Sequence, residues 1–357
     1  MDSKVRKIIN KALDGGTLTA KEGVELLSWD DLSDEAAAIR IAGRRFSWQL
    51  LPKAEIHGQI GLNIGPCARN CEFCSFAAGN KVFTESSELP LETVVDYVSL
   101  LEEQGANAIY LMTTAGYDPR KFLEYGVAAA KALKKGTPLI ANVGDFDLDY
   151  AKELKKAGFA GVYHVIRMGE GVVTRCSVDK RWDTIHAAQE AGLQLGSCVE
   201  PVGPEHSLEE IVEKTIITRD MNARFSGSMR RTAIPSSPLA QYGTVSYARM
   251  ATIVAAVSLI TGQGIIGNCT HEPNQLAVAA GANLLWAEVG SNPRDVEGKT
   301  EENRGWTVTR CRELLKECGW SVLNGPSVMF DGADDAERGS AGAPFAASDL
   351  FPALRDK

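Results

Sequence analysis

From residue 57 onward, short apolar runs alternate with longer amphipathic segments, the order expected of repeated βα units. The strand candidates are 57–63 HGQIGLN, 107–112 NAIYLM, 138–143 PLIANV, 160–166 AGVYHVI, 193–199 LQLGSCV, 224–234 RFSGSMRRTAI, 263–267 QGIIG and 283–289 NLLWAEV. Helical periodicity fills 90–104, 119–135, 147–157, 179–191, 207–221, 245–260, 273–281 and 306–318, with Ser207 and Glu210 marking one clear N-terminal cap. Glycines just past the periodic residues, as in EEQGAN and KKAGFAG, are suited to left-handed helix ends. Eight strands each followed by a helix match a complete (βα)8 TIM barrel better than an open doubly wound sheet.

Ahead of this pattern, SKVRKIINKAL, TAKEGVELLS and SDEAAAIRIAGRRFS read as three helices, the last two opening on threonine and serine caps. Beyond residue 320 the periodicity gives way to DGADDAERGSAGAPFAASDLF, an acidic and small-residue-rich tail in which FPALR is a candidate docking segment. The expected organisation is therefore a helical extension over 1–53, an α/β barrel over 54–320 and a partly flexible tail over 321–357.

Composition narrows the class. The 357 residues allow one decorated barrel, and 44% hydrophobic with 24% charged residues is the make-up of a globular protein. A net charge of −8 with no long basic run makes nucleic acid a poor partner. No secretory signal and no run of eighteen apolar residues is present, which implies a cytoplasmic protein with no membrane partner. Eight cysteines in a chain of this size fit a reducing compartment in which thiolates stay available as ligands.

Three of those cysteines crowd one segment, GPCARNCEFCSFAAGNK. Cys67, Cys71 and Cys74 follow the first strand directly, so all three thiols belong on one loop at the catalytic face of a barrel. Soft thiolates suit zinc or an iron–sulfur centre. A closed zinc site would need a fourth ligand that the neighbouring sequence lacks, although folding could bring in a distant one. Three thiolates around a [4Fe–4S] cube leave one iron open to substrate, and packing alone is the third reading.

CARNCEFC resembles the cluster motif of the radical S-adenosylmethionine (SAM) superfamily, and Phe73 before the last cysteine fits that pattern. RTAIPSSPLA and the Ser291–Arg294 turn resemble the biotin-synthase-like branch, near biotin synthase and the [FeFe]-hydrogenase radical SAM maturase, so the likeness runs over about 54–296. The resemblance implies a [4Fe–4S] cluster and SAM as cofactors. It also implies reductive cleavage of SAM to methionine and a 5′-deoxyadenosyl radical, and a flavodoxin- or ferredoxin-like electron donor.

It further implies roles for other residues. Thr113 and Thr114, with Gly116, occupy the place of the segment that cradles the SAM amino group, and a plain turn is the alternative reading. Arg167 takes the SAM carboxylate and Glu170 a SAM or substrate contact, against a surface Arg–Glu pair. His164 faces substrate or fills a polar core niche, and Glu200 orients the SAM ribose or a polar substrate. Ile265 or Ile266 contacts adenine, with Gly262, Gly264 and Gly267 permitting close approach. Arg230 and Arg231 point to opposite faces, so at most one can meet an anion inside. Cys269 with His271 is an incomplete metal pair, read more simply as a loop cysteine and a capping histidine.

Biotin synthase draws a second, sulfur-donating cluster from further strand-end cysteines, for which Cys198 is the one candidate here. Cys176, Cys311 and Cys318 do not complete it. The preferred expectation is a single-cluster enzyme that rearranges, cleaves or carbon-links a small polar metabolite in cofactor biosynthesis. Sulfur insertion by a second cluster, and a non-catalytic iron–sulfur scaffold, are the alternatives.

Overall fold

The computed structural model describes residues 1–271 and 274–330. Nine strands form one curled, all-parallel sheet. They are β1 (Lys53–Gly61), β2 (Ala108–Met112), β3 (Leu139–Asn142), β4 (Phe159–Tyr163), β5 (Gln194–Gly196), β6 (Val199–Val202), β7 (Phe225–Arg230), β8 (Gly267–Cys269) and β9 (Leu284–Gly290). Their order is β5-β4-β3-β2-β1-β9-β8-β7-β6. β5 and β6 end the path at opposite sides, yet only Ser197 and Cys198 separate them in the chain. That fifth run bonds both ways. The His164 and Met168 amides donate to the Gly196 and Glu200 carbonyls on one side, and Arg224 donates to Leu195 on the other.

Helices alternate with the strands of the sheet, and most begin at a side-chain cap, although Leu91–Gln104 starts after Pro90 with none. Ser207 accepts the Glu210 amide at 3.1 Å, but the Glu210 carboxylate turns away to accept the Gly169 amide at 2.8 Å. Gly105 and Gly158 take φ of 92° and 101° after their helices, the left-handed region that glycine enters without a Cβ clash.

Three helices precede the sheet: α1 (Ser3–Leu13), α2 (Ala20–Leu27) and α3 (Asp34–Leu50). α2 carries a full capping box between Thr19 and Glu22, and α3 is capped by Ser33. Their apolar faces cover the helix Tyr247–Thr261, whose sequence YARMATIVAAVSLIT is apolar nearly all round and is buried from Met250 to Thr261. A helix with no polar stripe needs cover on both sides. The sheet supplies one and the N-terminal extension the other.

Within the sheet's concave side, Tyr110, Phe225, Trp286 and Phe330 surround His57, whose Nε2 lies 2.8 Å from Glu55. The first ten residues of the expected tail are part of this core. Ser321–Val322 pairs with β1, Ser327 and Val328 donate to the Glu55 carboxylate, and Met329 and Phe330 are buried below the aromatic layer. The barrel boundary expected at 320 thus moves to at least 330. The remaining tail, with FPALR, and the expected first residue of the helix 273–281 lie outside the described residues.

Gly43 in α3 sets the distance between the extension and the barrel, because a Cβ there would stand 2.6 Å from the Ala255 Cβ. Overpacking of this kind costs about 1–3 kcal/mol. Gly43→Val should lower the melting temperature by several degrees, measured by thermal circular dichroism, and an unchanged transition would show that the two helices separate freely.

Candidate active site

The C-terminal ends of the strands open onto a cavity with about 1140 Å³ of empty space, continuous with solvent at its mouth. Cys67, Cys71, Phe73 and Cys74 line one side.

The cysteine loop leaves β1 and folds back on itself. The Cys67 amide donates to Phe76 O at 2.7 Å and the Ala78 amide returns to Cys67 O at 3.1 Å. Asn70 adopts a positive φ of 45° so the chain can reverse between the first two cysteines. The Asn80 side chain donates to the carbonyls of Glu72 and Cys74, both at 2.9 Å. The three thiols are half-buried and free.

Burial raises the Cys74 thiol to about 12, although the amides of Phe76 and Ala77 point at its sulfur and pull the other way. Cys71 is also held above its ordinary value, first by its hydrogen bond to Cys176 and then by burial. Both thiols thus keep their protons until a cation replaces them. Among the described residues, no three His, Cys, Asp or Glu side chains converge as ligands of one metal ion would. An iron–sulfur cube, in which each thiolate takes a different iron, needs no such convergence. The soft donor set and the amides aimed at sulfur fit a cube better than zinc.

Opposite the thiols, Thr113 and Thr114 are fixed by neighbouring strands. The Thr113 amide donates to Asn142 O at 3.0 Å, and Asn63 clasps Thr114 through two 2.9 Å bonds. Gly144 passes so close to this segment that a Cβ would lie 2.5 Å from Ala115 O. Gly116 itself is exposed, touches nothing with an added Cβ and does not line the cavity.

Arg167 and Glu200 line the wall together, with the guanidinium Nε 3.6 Å from a Glu200 oxygen. Glu170 stands behind them. It accepts the Arg167 amide at 3.1 Å and the Thr174 hydroxyl at 2.6 Å, and it approaches Arg181 Nε at 3.4 Å. Burial pushes Glu170 up, but Arg167 and Arg181 outweigh it and hold the carboxyl below its usual range. The expected Glu170 contact with ligand is therefore replaced by a supporting position outside the cavity lining.

His164 does line the cavity, as does Val165, because the regular pleat of β4 ends at Tyr163. Arg231 is the inward arginine of its pair. Glu205 grips both its terminal nitrogens, while Arg230 turns out to stack on Tyr247 at 4.0 Å. Ile265 and Ile266 are not at the site. β8 begins at Gly267, four residues later than the pattern suggested, which leaves both isoleucines at its N-terminal end, opposite the mouth. Ile265 is buried in the helix-side core, and Ile266 packs beside Met329 and Phe330.

Sequence reasoning missed Asp145 and Arg181 and set Cys176 aside. Arg181 meets Asp145 at 3.0 Å, the Cys176 sulfur at 3.3 Å and His164 Nε2 at 3.4 Å. It lies within a helix as one arginine among several charged residues, so no local signal sets it apart. A second cluster joins Glu288, Asn292, Arg294, Arg304 and His271 around one carboxylate. Cys269 pairs not with His271 but with Cys198, inside the barrel at 3.4 Å.

The sequence profile of the Radical SAM superfamily matches residues 65–216, which contain the cysteine loop, the Thr113–Thr114 segment and the Arg167–Glu200 wall. This stretch of the chain is a radical SAM domain. Members are enzymes that use a [4Fe–4S] cluster and SAM. This radical SAM enzyme is 23% identical to a biotin synthase of Persephonella marina over 284 residues, which cover 75% of the chain and 82% of that protein. A biotin synthase of Clostridioides difficile is 23% identical over 252 residues, covering 68% and 77%. The crystal structure of methylornithine synthase (PylB) superposes with a TM-score of 0.74 at 17% identity, covering 92% of this chain and 98% of that one. HydG, a maturase of the [FeFe]-hydrogenase, gives 0.71 at 17% identity, covering 89% and 75%. At these identities the two structures speak for the fold. No helix among the described residues is long and apolar enough to cross a membrane.

Burial pushes His164 down to about 4 from an ordinary 6.5, against the pull of Asp145. Between those values the unfolded chain binds a proton that the folded radical SAM enzyme refuses, so stability rises with pH across the window. His206 and His271 are lowered too and act in the same sense. The unfolding free energy in urea should fall by about 2 kcal/mol between pH 7 and pH 4.5. His164→Gln should flatten that slope, and an equal slope in the variant would mean that His164 titrates normally.

Proposed function

We propose that Cys67, Cys71 and Cys74 hold a [4Fe–4S] cluster with which this enzyme opens SAM beside a small polar metabolite, for rearrangement, cleavage or carbon–carbon bond chemistry in cofactor biosynthesis. The observation that carries this reading is three thiols on one loop facing a cavity whose other walls are arginine, glutamate, threonine and histidine. A reduced cluster held by these thiols would supply the one electron needed to cleave the SAM sulfonium to methionine and a 5′-deoxyadenosyl radical.

The chain's own residues bind and orient. Thr113 and Thr114 offer hydroxyl acceptors to an ammonium group and are held in place by Asn63 and Asn142. Arg167 offers a guanidinium to the SAM carboxylate, and Glu170 fixes its backbone without competing for the ligand. Glu200 faces the ribose or a polar substrate group, and Phe73 supplies an apolar wall beside the thiols. His164 stays neutral at physiological pH, so it can donate or accept a hydrogen bond to substrate without adding charge.

Water exclusion is the remaining requirement of a reactive radical. The fifth run, bonded to β4 and to β7 on either side of Ser197 and Cys198, supports a complete (βα)8 barrel. The buried Ser327–Phe330 segment seals its far end. Electrons come from a flavodoxin- or ferredoxin-class carrier.

Sulfur insertion by a second cluster is the other reading, and the Cys198–Cys269 pair inside the barrel is what favours it. Anaerobic reconstitution distinguishes the two. Wild type should hold roughly four irons, and the Cys67→Ala/Cys71→Ala/Cys74→Ala variant none. Iron retained by the variant would reveal the second centre. With dithionite and SAM the wild type should yield 5′-deoxyadenosine. An intact reduced cluster that yields none with SAM and candidate metabolites would leave only the scaffold reading standing.

A further inference from the structure

Beneath the cavity lies a set of oxidisable side chains that SAM binding does not use. Tyr163, the last residue of β4, lines the cavity and is buried, and its hydroxyl has no hydrogen-bond partner among the described residues. A buried phenol is ordinarily satisfied, and leaving one unpaired costs about 1–3 kcal/mol. An orphaned hydroxyl at a cavity wall therefore points to something that meets it there.

Behind Tyr163 stand two thiols. Cys198 occupies the short break between β5 and β6, and Cys269 ends β8. The Cys269 thiol donates toward the Cys198 sulfur across 3.4 Å, and both are almost completely buried. Both belong with Tyr163, Phe225 and Trp286 to one packed cluster. Glu200, Cys198 and Cys269 are the leading ionisable groups that bear on the Tyr163 phenol. Burial keeps the phenol and the Cys198 thiol protonated. Phenolic O–H and thiol S–H bonds are weaker than the C–H bonds of saturated carbon, so each can surrender a hydrogen atom to an alkyl radical downhill.

We propose that Tyr163 is the hydrogen-atom donor of this cavity and that the Cys198–Cys269 dithiol reloads it. The inference rests on the radical reading given above. The Tyr163 O–H bond breaks homolytically, its hydrogen atom forms a C–H bond on a carbon radical in the cavity, and a tyrosyl radical remains. That radical takes the hydrogen atom of the Cys198 S–H. The thiyl radical left on Cys198 shares its odd electron with the neighbouring Cys269 sulfur. One electron from the ferredoxin- or flavodoxin-class carrier and one proton from solvent restore the thiol. The sum is a carbon radical plus one electron and one proton giving a C–H bond. An enzyme built this way quenches its product radical from the protein and consumes SAM in each turnover.

The test needs no knowledge of the substrate. Enzyme reconstituted in D2O is given SAM and dithionite alone, and the 5′-deoxyadenosine formed is analysed by mass spectrometry. Wild type should place one solvent deuterium in most product molecules. Tyr163→Phe should lower the deuterium per molecule several-fold, a ratio independent of rate. Cys198→Ala should keep the label in the first equivalent and lose it in later ones. Unlabelled wild-type product, or equal labelling in Tyr163→Phe, overturns the donor role. A complete absence of 5′-deoxyadenosine instead overturns the radical reading beneath it. Independently of cluster loading, diamide treatment of the apo-protein should join Cys198 to Cys269 as one disulfide-linked peptide pair, and two separately alkylated thiols would overturn the reloading step.

Discussion

The cysteine loop keeps its shape through bonds to parts of the chain far from it. The Glu72 amide donates to Val173 O, the Ser75 amide to Pro293 O and the Arg175 amide to Arg69 O, at 2.7 to 2.9 Å, and the Ser237 hydroxyl donates to Glu72 O. These anchors come from the loops after β4, β7 and β9. A loop of small and polar residues has little core of its own, so its conformation is set by where the barrel's other loops present carbonyls and hydroxyls. Any movement of one strand end is felt at the three thiols, and the cavity, the Arg167 wall and the thiols form one mechanical unit.

The charges around the cavity are layered. Arg69, Arg167, Arg181, Arg231 and Arg294 reach the lining, where Glu200 is the one carboxylate among the described residues. Asp145, Glu170, Glu205 and Glu288 stand behind them as partners. Burying a guanidinium without a partner would cost several kcal/mol. The outer carboxylates offset that cost while leaving the inner faces cationic, an arrangement that favours carboxylate groups within the cavity. Asp145 is held below its usual range by His164 and Arg181 despite its burial, which keeps the layer charged at physiological pH.

The two ends of the barrel are treated oppositely. At the C-terminal face the strands end in polar, glycine-containing loops around open space. At the other face the chain returns after Ser321–Val322 and pushes Ser327–Phe330 against Glu55, His57 and the aromatic layer.

Local pattern alone determined the alternation of strands and helices, the capped helices Asp34–Leu50 and Leu208–Asp220, and the one loop that carries Cys67, Cys71 and Cys74, because periodicity, caps and close spacing are properties of neighbouring residues. Thr113, Thr114, His164, Arg167 and Glu200 line the cavity, since the first four lie just past the ends of β2 and β4 and Glu200 just past the break after β5. Local pattern misplaced Ile265 and Ile266 because an apolar run before a three-residue strand looks like the strand itself. The Arg181–Asp145 contact, the retreat of Glu170 behind Arg167 and the meeting of Cys198 with Cys269 join residues separated by 36, 3 and 71 positions. Two of those contacts join different elements, a helix to the loop after β3 and the end of β8 to the break between β5 and β6. The third depends on which way a side chain turns once its neighbours are packed, and only the tertiary arrangement settles that.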